Sequence, residues 1–136
     1  FSFTWQDITM NYRINPRTIH PPAAKYNHGM LSSKFEKILH SSGVVPVDID
    51  GDTPDDIGDQ AALVWNNIRE ILSEANMGLN DIVSVVTYVV AGQDLQSVMR
   101  MRDSILQGHT AASTLVTVPE LAQKDWKMEI AIVAIS

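Results

Sequence analysis

The chain has 136 residues with 10 Lys and Arg against 16 Asp and Glu, a net charge of −6, 45% hydrophobic and 19% charged residues, and no cysteine. That size and composition fit one globular domain and exclude disorder, disulfide frameworks, Cys-ligated zinc, iron–sulfur clusters and thiol nucleophiles, while the excess of acid argues against holding phosphate backbones by charge. No apolar run reaches spanning length and residues 1–10 lack a signal-peptide pattern, so a soluble cytoplasmic protein with no membrane and no nucleic-acid partner is expected.

Residues 1–25 read as an N-terminal arm. Phe1, Phe3 and Trp5 alternate with polar residues as in a short strand, before Asn15-Pro16 and Pro21-Pro22 break any regular element. The domain proper covers residues 26–136. Residues 26–31 and 35–47 are strand-like, separated by a turn at Ser32-Ser33-Lys34. Thr53 with Pro54 and two aspartates starts a helix that runs to about Asn76, with Gly78 as its left-handed stop. Its apolar stripe comprises Ile57, Ala61, Val64, Ile68, Ile71, Leu72 and Ala75.

The almost unbroken β-branched run Ile82–Val90 is a central strand. Asp94 caps a second helix, and residues 113–118 and Met128–Ile135 form two further strands. The resulting order, two strands, helix, strand, helix, two strands, predicts an α+β fold with two helices on one face of a mixed sheet.

Several groups carry chemistry. Glu129 sits among the apolar residues Met128, Ile130, Ile132 and Val133, a setting that suits acid–base work, although the alternation of the strand also allows it to face solvent. His40 ends an apolar strand just before Ser41-Ser42-Gly43 and is a candidate proton carrier. The hydroxyls of Ser41, Ser42 and Ser113 lack the Gly-x-Ser-x-Gly context of a serine nucleophile. Asp48, Asp50, Asp52, Asp56 and Asp59 imitate calcium-loop spacing, but Thr53 stands where the loop needs glycine and Pro54 follows, so turn and helix-start roles explain them. Neither a metal nor a cofactor is expected.

The succession Tyr26-Asn27-His28-Gly29-Met30, Ser42-Gly43, a helix holding Asn67 and Leu72, Leu79-Asn80-Asp81-Ile82-Val83, and Trp126-x-x-Glu129-Ile130 resembles the Rid (YjgF/L-PSP) family. The resemblance implies a chorismate-mutase-like α+β barrel, assembled as a homotrimer with small-molecule clefts between subunits. The best understood members of that family hydrolyse reactive 2-imino and enamine acids to 2-keto acids and ammonia. Position by position it implies a catalytic role for Glu129 through water, and substrate-binding roles for Tyr26, Ser42, Gly43, Ala112, Ser113 and Thr114. The deaminases open this strand with Pro-Ala-Arg-Ser, the Arg gripping the substrate carboxylate. Here Thr110-Ala111-Ala112-Ser113 puts Ala112 in the place of that Arg. The expectation is a metabolite-binding trimer, either a diverged deaminase or hydrolase or a non-catalytic binding or interaction module. An endoribonuclease role, attached by name to some relatives, is disfavoured by the acidic balance.

Overall fold

The computed structural model describes residues 10–136, so the alternation over residues 1–5 lies outside the described residues. In chain order the elements are β1 (Met10–Ile14), β2 (Gly29–Ser33), β3 (Ile38–His40), α1 (Ile57–Glu74), a short 3₁₀ turn (Leu79–Asp81), β4 (Ile82–Val90), α2 (Leu95–Leu106), β5 (Ala112–Val118) and β6 (Met128–Ile135). β4 runs parallel to β5 and antiparallel to β6, whose other edge pairs with β3, giving the order β3-β6-β4-β5. β1 and β2 form a separate antiparallel ribbon. Asn27 bridges the ribbon region to Ala112 at the start of β5.

Alternation along the strands sorts the sheet into two faces. Val85, Val89, Met128, Ile130, Ile132 and Ala134 are buried against Ala61, Val64, Trp65, Ile68 and Leu72 of α1 and Val98 and Leu106 of α2, the single core. The residues between them, among them Val86, Glu129, Ala131 and Val133, point to the opposite face and are half-buried. On that face Ile38 and Val116 are exposed. The expected mixed α+β sheet with both helices on one face is present.

Several local expectations shift. Part of the presumed arm, Met10–Ile14, is a strand, because its backbone pairs along the whole of β2. Ser32 and Ser33 belong to β2, and the reversal falls on Lys34, at φ 52°. The region expected to be a strand over 35–47 is regular only at Ile38–His40. Thr53 does not cap α1: Asp56 does, its carboxylate accepting the Asp59 N–H at 3.1 Å. The left-handed residue that ends α1 is Asn76 (φ 55°), while Gly78 is extended and starts the 3₁₀ turn.

Asp94 caps α2, accepting the N–H groups of Gln96 at 3.0 Å and Ser97 at 3.4 Å and the Ser97 hydroxyl at 2.7 Å. The Ser97 hydroxyl first, then the Ser97 N–H, hold its carboxyl below the ordinary value; desolvation opposes them, and the Gln96 N–H and Arg100 add to the lowering. A depressed acid contributes stability that is complete above the unfolded carboxylate pKa of about 3.9 and fades as pH falls through the folded value. Urea midpoints at pH 7 and pH 3 should therefore fall further for the native chain than for Asp94→Asn, which keeps a capping oxygen with no charge to lose.

Candidate functional site

After β3 the chain continues along β6 with one residue too many. The N–H of Ser41 donates to Ile132 O at 2.9 Å, and the N–H of Val44 donates to Ile130 O at 2.7 Å. Three steps of one strand thus face two of the other, a β-bulge that puts both Ser42 and Gly43 opposite Ala131. The Ser41 hydroxyl closes the gap, accepting the Ile132 N–H and donating to Ser42 O, both at 2.8 Å. Among the described residues the N–H groups of Ser42 and Gly43 have no hydrogen-bond partner.

Glu129 lies against this bulge. A β-carbon placed on Gly43 would sit 1.8 Å from Glu129 Oε2 and 3.0 Å from its carboxyl carbon, so the carboxylate rests on the glycine backbone. The fit comes from the strand period, since Glu129 pairs with Tyr88 on the face turned away from the helices. The carboxylate is half-buried and, among the described residues, has neither a hydrogen bond nor an ion pair. Asn67 of α1 fixes the chain just beyond the bulge, its amide donating to Val47 O at 3.0 Å and Val45 O at 3.3 Å. A groove of about 420 Å³ follows the same segment, lined by residues 40–45, Val47, Asn67 and Ile71. His40 itself is exposed, opposite Val133.

The Tyr26 segment meets β5 at its start, beside Ala112, while Thr114 lies two residues further along that strand, level with Val86 and Ala131. The N–H of Asn27 donates to Ala111 O at 2.8 Å, while its side chain, 4% exposed, donates to the Thr110 hydroxyl at 2.9 Å and accepts from Asn15 Nδ2 at 2.9 Å. This buried amide ties the Tyr26 segment to the start of β5. Sequence inspection gives it no such weight, because an asparagine in a polar stretch reads as loop. The Tyr26 hydroxyl accepts the Ala23 N–H at 3.3 Å, and its ring meets that of His28 edge-on at 6.1 Å. Ala112 and Thr114 share the face of Glu129, whereas Ser113, level with Val85, is turned to the helix side and offers the face only its backbone.

Ala112 is level with Ser84 and Val133, four residues along β6 from Glu129 and two strands across. At ~3.3 Å per residue and ~4.8 Å per strand the two are roughly 16 Å apart within one chain. The single chain therefore brings Glu129, Ser42 and Gly43 together and holds Tyr26 and Ala112 in a second group. Among the described residues no cluster of three or more His, Asp or Glu side chains could hold a metal ion, and no helix is long and apolar enough to cross a membrane.

The family model described as Endoribonuclease L-PSP matches residues 18–136. The chain belongs to the Rid (YjgF/L-PSP) family. Relatives of this Rid chain include TdcF of Escherichia coli strain K12, whose name provisionally makes it a reactive intermediate deaminase; it is 26% identical over 101 residues, 72% of this chain and 78% of TdcF. The mitochondrial protein MMF1 of Saccharomyces cerevisiae is 26% identical over 130 residues, 90% of this chain and 84% of MMF1. Among solved structures, the Rid-family protein YyfB of Yersinia pestis, itself of unknown function, superposes with a TM-score of 0.84 at 25% identity, covering 93% of this chain and 98% of YyfB. Escherichia coli TdcF with bound serine gives 0.69 at 25% identity, covering 90% and 93%. The match to Rid structures also fixes the architecture as the chorismate-mutase-like fold that the resemblance implied.

Proposed function

We propose that this Rid-family chain works as a homotrimer whose inter-subunit clefts bind a small metabolite and hydrolyse a carbon–nitrogen double bond in it, with Glu129 as the base for water. The observation that carries this reading is the half-buried carboxylate of Glu129, unpaired among the described residues and resting on Gly43. The separation of roughly 16 Å between Glu129 and Ala112 supports association, because a cleft containing both groups needs a second copy. So does the apolar outer face with Ile38 and Val116 exposed, a surface that association would cover.

In the reaction, a water oxygen adds to the carbon of C=N while Glu129 takes its proton. That proton passes to nitrogen to give a carbinolamine; the proton of the new hydroxyl then follows it to nitrogen, the C–N bond breaks, ammonia leaves and a carbonyl remains. The name of TdcF as a deaminase supports this class of chemistry. RNA cleavage is left out of the reading, since the net charge is −6 and Arg69, Arg100 and Arg102 lie on the helices away from Glu129.

Light scattering should give a particle of three 15.1 kDa chains. Turnover of imines generated in solution should fall about 100-fold or more in Glu129→Gln, the scale of a lost general base, with the trimer intact. A single-chain particle would reject the cleft. Full activity in Glu129→Gln would reject the base, and a trimer that binds metabolites but turns over none of the imines would favour the binding-module reading. With Ala112 offering no cation, 2-iminobutyrate should be among the poorest substrates.

A further inference from the structure

The outward-facing side of the sheet has an unusual charge content. Over the four strands β3, β6, β4 and β5, its only carboxylate is Glu129 and its only basic side chain is His40, with no Lys or Arg. Off this face, Lys37 Nζ donates to Ala75 O at 2.8 Å, Lys127 Nζ donates to Asp55 O, and Arg102 pairs with Asp103 at 3.0 Å on the helix side. Among the described residues Glu129 is therefore a carboxylate with no cationic partner, on a largely apolar face.

A half-buried carboxylate in that position selects its ligand by sign. An anionic group brought beside it meets like-charge repulsion that no Lys or Arg of this sheet face offsets, whereas an N–H donor, above all a charged one, supplies the missing hydrogen bonds. We propose that the cleft at Glu129 takes a small ligand that presents an N–H-bearing group, cationic or neutral, and no carboxylate. This specificity rests on the reading of the cleft given above.

The test is an NMR titration of the assembled protein at pH 7 with three probes of one size: butylammonium, butanamide and butyrate. Butylammonium and butanamide should shift the amide signals of Gly43, Val44 and Glu129, with butyrate at least tenfold weaker. In Glu129→Gln the advantage of butylammonium over butanamide should disappear. Butyrate binding at those signals as tightly as the other two would overturn the proposed ligand class and leave the cleft standing, as would a Glu129→Gln protein that still prefers butylammonium. Failure of all three to move those signals would overturn the ligand class and the cleft together.

Discussion

Gly43→Ala should leave the fold in place and remove about 100-fold of whatever hydrolysis Glu129 supports. The glycine is not needed for its backbone angles: the positive-φ glycines of the chain are Gly51, Gly92 and Gly108, and Gly43 is not among them. It is needed for space. A methyl group 1.8 Å from Oε2 cannot coexist with the observed carboxylate, so either Glu129 rotates off the bulge or the bulge opens. Rotation of a half-buried side chain costs little stability, and surface-type changes usually stay within about 0.5 kcal/mol. Displacement of a reacting group by even 1 Å is enough for a loss of about 100-fold. A crystal structure of the variant should show the Glu129 carboxylate moved. In a Glu129→Ala background the same glycine substitution should be nearly silent, since the two residues act as one unit. An active Gly43→Ala protein with the carboxylate displaced would remove Glu129 from the chemistry.

This pairing also shows how far sequence carries. Glu129 and Ser42-Gly43 were legible as candidates from the family pattern, and their meeting follows once residues 41–44 are laid along β6. The bulge that makes them meet was not legible. It depends on Ser41 lending its hydroxyl to the Ile132 N–H, a tertiary bond with no local signature. Likewise the separation of Ala112 from Glu129 is fixed by strand order, which hydrophobic pattern leaves open.

The elements follow the same division. β4 and β6 were legible over their full lengths because β-branched and apolar runs leave little competition, and Asp94 was legible because an acid before an amphipathic run is a strong helix start. β1 was hidden by its own sequence, since Asn11 and Arg13 leave no apolar run. Its place is set by the pairing with β2 and by the Asn11 amide donating to Ile135 O at 2.9 Å. At the start of α1, Thr53 and Asp56 both had the chemistry of a cap, and only the path of the chain decided between them.

The largest stability effect is expected at a residue that periodicity passes over. Gln60 is polar, yet on α1 it is fully buried beside Ala61 and Val64. Its amide Nε2 donates to Pro54 O at 2.7 Å and to Asp125 O at 2.9 Å, and its Oε1 accepts the Lys127 N–H at 2.8 Å. One side chain thus satisfies three backbone groups and holds the segment that leads into β6. Gln60→Ala strands all three in the interior, at about 1–3 kcal/mol for each unsatisfied group, reduced where water reaches the vacated space. A net loss of about 3–5 kcal/mol is expected, read as a fall in the urea midpoint with unchanged slope. Gln60→Glu should be at least as damaging, because it replaces two N–H donors by an oxygen facing two carbonyls. Because Lys127 lies two residues before Glu129, the variant should also loosen the carboxylate, and amide exchange at Met128 and Glu129 should quicken more than at β5. A loss below about 1 kcal/mol would mean that the loop before β6 is held by the strand itself, and that this glutamine merely follows it.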